Sequence, residues 1–224
     1  MANPSLSKQD QIRLLETGPY PVAVLKSDRI QIQLFPKVSL SINLAKYPKK
    51  PTFEFEKNFQ KRIGDLEHFI PKLRNWDPTN PPEIIRIVEI LKQTVESITG
   101  ALVHISHDLL KELFQIAEQT HPNEMFCFLR LRDGGFAEYV LAPKTYRSEK
   151  NVVFFSAEVD NDRTLVASCH SHPTANCTPS EADLNTFRKK AINIILGYPF
   201  NISMVGVYDS RGERVQFDTI ELEE

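Results

Sequence analysis

The stretch ASCHSHPTANCTPSEADL, residues 167–184, decides how the second half of the chain is read. If RTLVASCHSH, residues 163–172, is a strand, alternate side chains share a face. His170 and His172 then point one way, Cys169 and Ser171 the other. Pro173 stops the strand, the chain turns back through Asn176 and Pro179, and Asp183 arrives in the first turn of a following helix. Two imidazoles and a carboxylate suit Zn²⁺, and three protein ligands leave a fourth tetrahedral position open to water, as in catalytic rather than structural zinc sites. A water activated in this way attacks carbonyl carbon and needs a nearby carboxylate to take its proton. A simpler reading stands beside this one. Ser180 with Asp183 three residues on is a helix capping box, which satisfies exposed amides whatever else the residues do. A pair of histidines can also be structural.

Outward from this stretch, SHDLLKELFQIAEQT reads as a helix capped by Ser106, with Leu109, Leu110, Leu113, Phe114 and Ala117 as its buried stripe. MFCFLRLR, FAEYVLA and NVVFFSAE are short, β-rich segments bounded by turn residues. After the PSEADLNTFRKKAI helix, INIILG, ISMVGVYD and RVQFDTIEL close the chain as strands. Gly100 to Ile105 reads as a short linker before this unit, which spans residues 101–224.

His170-Ser171-His172-Pro173, with Asp183 ten residues after the proline and Ser180 three before Asp183, resembles the JAMM motif of the MPN/JAB metalloprotease family. In that family a glutamate lies upstream, at the end of the first helix, and HPNEMFCFL places Glu124 in the corresponding position. The resemblance covers about residues 103–224. It implies a cytidine deaminase-like α/β/α domain in which His170, His172 and Asp183 hold zinc. It further implies that Glu124 is the general base and later the acid, and that Ser180 helps stabilise the tetrahedral oxyanion. Its implied activity is that of a zinc-dependent isopeptidase or peptidase acting after a ubiquitin-like protein, in conjugates or precursors. Two alternatives belong to the same resemblance: a peptidase that trims a sulfur-carrier protein or small conjugate, and a non-catalytic MPN scaffold that docks or dimerises. One departure is Cys169, where the family often has an aromatic residue. Cys127 on a core strand reads as a small apolar residue. Cys177, between the expected ligands, is open to readings as an inert residue, a soft ligand or a redox-sensitive thiol.

Residues 1–100 read as a separate α+β unit. PVAVLKS, RIQIQLF and VSLSINLA form a meander, the last two alternating with period two, and TFEFE is a fourth strand. A short helix over 7–16 precedes them. NPPEIIRIVEILKQTVESITG opens with Asn80 as an expected cap, prolines at the first positions and Glu83, and Gly100 ends it. Ile84, Ile87, Val88, Leu91, Val95 and Ile98 give that helix one apolar face. Tyr47-Pro48-Lys49-Lys50-Pro51 resembles the YPxxP signature shared by RWD domains and the ubiquitin-conjugating (UBC) fold. No cysteine precedes Cys127, so this unit carries no thioester; near the position where conjugating enzymes keep theirs stands His68. The resemblance implies a non-catalytic domain that binds the modifier or a partner protein. His104, His107 and His121 read as helix-end residues.

Composition sets the outer bounds. With 41% hydrophobic and 25% charged residues, and 27 basic against 29 acidic side chains, the chain is an ordinary globular sequence with no basic stripe for nucleic acid. No apolar run approaches the ~20 residues of a membrane span. MANPSLSKQDQIRLLETG lacks the layout of a secretory signal, and three cysteines do not make a disulfide framework. A cytoplasmic address without nucleic-acid or membrane partners is the expectation.

Overall fold

The computed structural model describes residues 6–26, 28–141, 146–148, 151–153 and 162–222. The chain divides into two compact units, Met1–Lys92 and Gln93–Glu224. The division falls inside a helix, a few residues before the glycine at which the sequence pattern breaks.

In the first unit, α1 (Lys8–Thr17) is followed by β1 (Val22–Lys26), β2 (Arg29–Phe35), β3 (Val38–Asn43) and β4 (Thr52–Phe55), which pair in that order as an antiparallel meander. Period-two patterning sets which face is covered: Ile30, Ile32, Leu40 and Ile42 are fully buried, while their neighbours in the strands are not. α2 (Lys57–Ile63) and the single helical turn α3 (Pro71–Arg74) follow, and α4 (Ile84–Thr99) carries Ile84, Ile87, Val88 and Leu91 into the core.

The cap expected at Asn80 is not the one found. α4 begins at Ile84, beyond both prolines, and the Ile84 amide donates to Gln11 Oε1 at 2.8 Å. Gln11 is itself buried, and its Nε2 donates to the Tyr47 hydroxyl at 3.0 Å, which donates onward to the Leu6 carbonyl at 3.0 Å. The chain of bonds satisfies an amide at the helix start from a residue 73 positions away. Tyr47 of the YPKKP segment is thereby fixed from the N-terminal side, and Trp76 Nε1 donates to the Pro48 carbonyl at 2.8 Å from the other. His68 ends a single 3₁₀ turn, 3.5 Å from the Asp65 carboxylate.

The second unit is built on a seven-stranded mixed sheet in the order β12-β11-β10-β6-β7-β5-β13. Its strands are β5 (Val103–Ser106), β6 (Phe126–Arg132), β7 (Gly135–Leu141), β10 (Leu165–His172), β11 (Ile192–Gly197), β12 (Val205–Asp209) and β13 (Phe217–Ile220). The expected linker at Gly100–Ile105 is therefore partly strand: residues of β5 are buried and pair in parallel with β13 and β7. β8 (Tyr146–Ser148) and β9 (Asn151–Val153) form a separate antiparallel pair, and the remainder of the strand expected over 151–158 lies outside the described residues. α5 (His107–Thr120), capped by Ser106, leads into β6; α6 (Glu181–Phe187) joins β10 to its parallel neighbour β11. Among the described residues no helix is long and apolar enough to cross a membrane.

Candidate metal centre

β10 lies in the middle of the sheet, antiparallel to β6 and parallel to β11. Alternation along it places His170 and His172 on one face. Cys169 turns to the other, fully buried and directly opposite Cys127 on β6. Burial and the neighbouring Cys127 thiol push the Cys169 thiol well above its ordinary range, so it is an inert apolar group.

Past Pro173 the loop is tied down at each polar group. His172 Nδ1 lies 2.8 Å from the Asn176 carbonyl, which can only accept; the proton therefore sits on Nδ1 and the Nε2 lone pair faces inward. Cys177 Sγ–H donates to the Met204 carbonyl at 3.1 Å, the Tyr208 hydroxyl donates to the Cys177 carbonyl at 2.7 Å, and the thiol packs with Phe187, Ile195 and Tyr208. This is the small, packed reading of Cys177. The thiol also explains Gly197, where a Cβ would lie 2.9 Å from Cys177 Sγ.

The loop delivers Ser180 to the start of α6 as a full capping box. The Asp183 amide donates to Ser180 Oγ at 3.2 Å, while the Ser180 amide and hydroxyl both donate to Asp183 Oδ2 at 2.7 Å. The far end of α6 is fixed by buried Asn193, whose Nδ2 donates to the Phe187 carbonyl at 3.3 Å and whose Oδ1 accepts from Ser168 on β10 at 2.7 Å. The cap orients Asp183 rather than competing with it: Oδ2 takes the capping bonds, Oδ1 faces His170, and His172 approaches on the Oδ2 side.

Three ligand atoms converge as a result. His170 Nε2 lies 3.1 Å from His172 Nε2 and 3.1 Å from Asp183 Oδ1, and His172 Nε2 lies 3.4 Å from Asp183 Oδ2. Four ligands held tetrahedrally at ~2.0–2.1 Å from Zn²⁺ stand about 3.3–3.4 Å apart, and the approaches among these three side chains, 3.1–3.4 Å, are close to that. The donor set fits as well: two imidazoles and an anion, partly buried, call for a positive charge between them. These are the residues that could hold an ion, and they form the one such cluster of three or more His, Cys, Asp or Glu among the described residues. Burial alone would raise the Asp183 carboxyl. Hydrogen bonds and charge from His170 and His172, with the Ser180 hydroxyl, outweigh it and hold the group far below the usual carboxylate range. The Asp183 carboxylate in turn raises the His172 imidazole against the pull of burial; the Asn176 carbonyl and the Asp183 and Glu124 charges add to the rise.

Glu124 is placed by the strand register. β6 and β10 pair Phe126 with His170, and the ladder runs one residue further: Ser171 N donates to the Met125 carbonyl at 3.1 Å, and Met125 N donates to Ser171 Oγ at 2.9 Å. These bonds hold the segment that carries Glu124, one residue before Met125, alongside β10. Glu124 is exposed at the rim, and its charge is felt by the His172 ring.

Two features escape the sequence reading. His104 is a buried strand residue rather than a helix end, its Nε2 3.0 Å from Glu96 and its Nδ1 2.6 Å from Asp218. His121 does end α5, but its ring stacks on Tyr198 with centroids 4.7 Å apart. Asp218 and Tyr198 are far away in sequence, and Glu96, eight residues before His104, lies on a different element, so no local pattern signalled these contacts.

Comparison with known proteins follows the same boundaries. The chain is 32% identical over 130 residues to a probable metalloprotease of Haloferax volcanii, a match spanning 54% of this chain and 81% of that protein. A JAB1/MPN domain protein from Archaeoglobus fulgidus is 27% identical over 53% of this chain and 97% of its own, with a TM-score of 0.41. A structure described as a JAMM metalloprotease-like zinc site in the proteasome and signalosome is 27% identical over 54% of this chain and 99% of its own, with a TM-score of 0.40. Residues 106–218, just over half of the 224-residue chain, match the family described as prokaryotic homologs of the JAB domain, and it is to this family that the chain belongs.

Proposed function

We propose that the chain is a zinc-dependent peptidase that hydrolyses the bond after the C-terminus of a ubiquitin-like modifier, in a conjugate or a precursor. The observation that carries this reading is the convergence of His170, His172 and Asp183, with the charge of Glu124 felt at the His172 ring. The three converging side chains would hold the ion. Zn²⁺ bound there supplies a Lewis acid that brings the pKa of a water down to about 7. Glu124, at the solvent rim, takes the proton of the attacking water and returns it to the leaving amine. Asn176 keeps His172 in the tautomer that presents Nε2. The Ser180 hydroxyl, 2.7 Å from Asp183 Oδ2, can turn to the substrate oxygen as negative charge develops there.

The first unit is proposed as an RWD/UBC-like recognition domain for the modifier or a partner protein. The anchored YPKKP segment and the lack of any cysteine before Cys127 support binding rather than thioester chemistry. A cytoplasmic address fits three free thiols.

The test is hydrolysis of a panel of ubiquitin-like protein fusions by the full chain, with and without a chelator. Cleavage after the modifier's last residue, lost with chelator and restored by Zn²⁺, is expected. Glu124→Gln should retain zinc and lose cleavage. Zinc content unchanged in Asp183→Ala, or cleavage untouched by Glu124→Gln, would refute the assignment.

A further inference from the structure

The rim beside the His172 end of β10 carries an aromatic feature that neither the metal centre nor the fold requires. β11 ends at Gly197, the parallel partner of His172. The chain then turns tightly, with Phe200 N donating to the Gly197 carbonyl at 2.8 Å, and Phe200 held at φ 55°, a left-handed conformation unfavourable for a bulky residue. The turn sends Phe200 inward, 7% exposed, and leaves Tyr198 outward at 47%. Tyr198 stacks on His121 at an interplanar angle of 29°, and Phe200 meets both rings edge-on, with centroids 6.0 Å from His121 and 5.6 Å from Tyr198.

This pair is tied to the ligand-bearing loop on both sides. Tyr198 N donates to the Thr174 carbonyl at 3.0 Å, and His121 Nε2 lies 3.4 Å from the Pro173 carbonyl. His121 precedes Glu124 by three residues, so the rings stand between the segment carrying the proposed base and the segment carrying His172. Among the described residues the Tyr198 hydroxyl has no hydrogen-bond partner, which leaves it available to a bound chain. Among the described residues of this unit the exposed large apolar side chains are Leu141, Leu184, Tyr198 and Ile202. Leu184 follows Asp183 directly, Leu141 lies opposite Cys127, which is itself opposite Cys169, and Ile202 follows the aromatic turn. Among the described residues, exposed apolar side chains thus accompany the elements that carry the metal centre, and concentration of this kind marks a binding surface.

We propose that His121 and Tyr198, braced by Phe200, form a specificity subsite that receives an apolar side chain of the substrate polypeptide adjacent to the scissile bond. The inference rests on the peptidase reading and deepens it. The ring faces cover an apolar side chain, and the Tyr198 hydroxyl bonds the substrate main chain alongside. A role confined to bracing the Glu124 segment would affect all substrates alike; a subsite changes the ratio between them.

The experiment uses the full zinc-loaded chain and peptides identical except for Phe, Leu, Ala or Asp on either side of the scissile bond. Hydrolysis is followed together with the His121 and Tyr198 ring resonances by NMR. The expected result is a preference for Phe or Leu over Asp of about tenfold or more in kcat/KM, in the range an apolar contact gives. Tyr198→Phe keeps the preference and Tyr198→Ala reduces it to within about twofold, with zinc content unchanged. Hydrolysis with the same preference in wild type and Tyr198→Ala overturns the subsite and leaves the peptidase reading standing. Ring shifts caused only by the apolar peptides, without cleavage, support the subsite and overturn the peptidase reading. Neither shifts nor cleavage overturns both.

Discussion

Met125 and Ser171 exchange two hydrogen bonds across β6 and β10, one through the Ser171 amide and one through its hydroxyl. Ser171 lies between the two converging histidines, and Met125 follows Glu124, so this exchange fixes the distance between the proposed base and the proposed ligands. Ser171→Ala leaves the Met125 amide without its buried acceptor, a loss worth ~1–3 kcal/mol. The expected outcome is a lower urea midpoint together with a several-fold drop in kcat and unchanged zinc content. Metal analysis beside steady-state kinetics separates this from a ligand defect. A fall in zinc content equal to that of Asp183→Ala would contradict the positioning role.

A cation between His170 Nε2, His172 Nε2 and Asp183 stabilises the folded chain by mass action, because the unfolded chain has no such cluster. At a free zinc concentration one hundred times Kd the gain is about 2.7 kcal/mol, visible as a rise in the melting temperature of the second unit. Asp183→Ala removes one ligand and, with it, the acceptor of the Ser180 capping bonds. Its melting temperature should be lower than that of the wild type and insensitive to zinc. Calorimetry with and without a chelator measures both shifts.

The core of the site was legible because its signals are local. An H-x-H on a strand, a proline stop and a serine-aspartate capping box each lie within a few residues, whereas Glu124 is reached only through the family resemblance. What stayed hidden depends on partners far along the chain. Asn80 has the residue type of a cap, yet Gln11, 73 residues away, receives the α4 amide. VHIS has no readable alternation because a strand buried on both faces shows no period-two contrast, so β5 passed for a linker. His104 looked unpartnered because Asp218 lies 114 residues away and Glu96, although only eight residues before it, sits on α4 rather than on the same element.

That buried histidine should be among the most sensitive positions in the second unit. Both ring nitrogens of His104 face carboxylates, Glu96 on α4 and Asp218 on β13, and Glu96 is itself 8% exposed. His104→Leu takes the imidazole away from the buried Glu96 carboxylate, a change that destabilises by ~3–5 kcal/mol when one member of a buried pair is removed. His104→Leu with Glu96→Leu removes both polar groups and should recover a large part of that loss. Urea denaturation of the two variants checks the ordering. A single variant as stable as the double one would show that the pair carries no such constraint. The same geometry bears on domain dissection, since a cut at residue 98 removes Glu96 and Ser97, whose Oγ accepts from the His104 amide at 3.2 Å.

Acid sensitivity should trace in part to Arg130. Its guanidinium donates to Glu138 at 2.6 Å and to Asp162 at 2.8 Å. Hydrogen bonding from Arg130 lowers the Glu138 carboxyl below its ordinary 4.5. Burial would raise Asp162, but bonds from Thr164 and Arg130 outweigh it and bring the group below 3.8. Both carboxyls have depressed folded values, so their stabilisation is fully present above the unfolded pKa values and is lost as pH falls through the folded ones. All three side chains are about one-third exposed, which limits the two pairs to about 1 kcal/mol together. Arg130→Met should therefore lower the urea midpoint at pH 6, and the difference from wild type should shrink as pH falls below the ordinary 3.8–4.5 of the two carboxyls. Titratable groups elsewhere act equally in both proteins and cancel in the difference. A gap between wild type and variant that is as large at pH 3 as at pH 6 would assign the role of Arg130 to packing of its aliphatic stem rather than to these ion pairs.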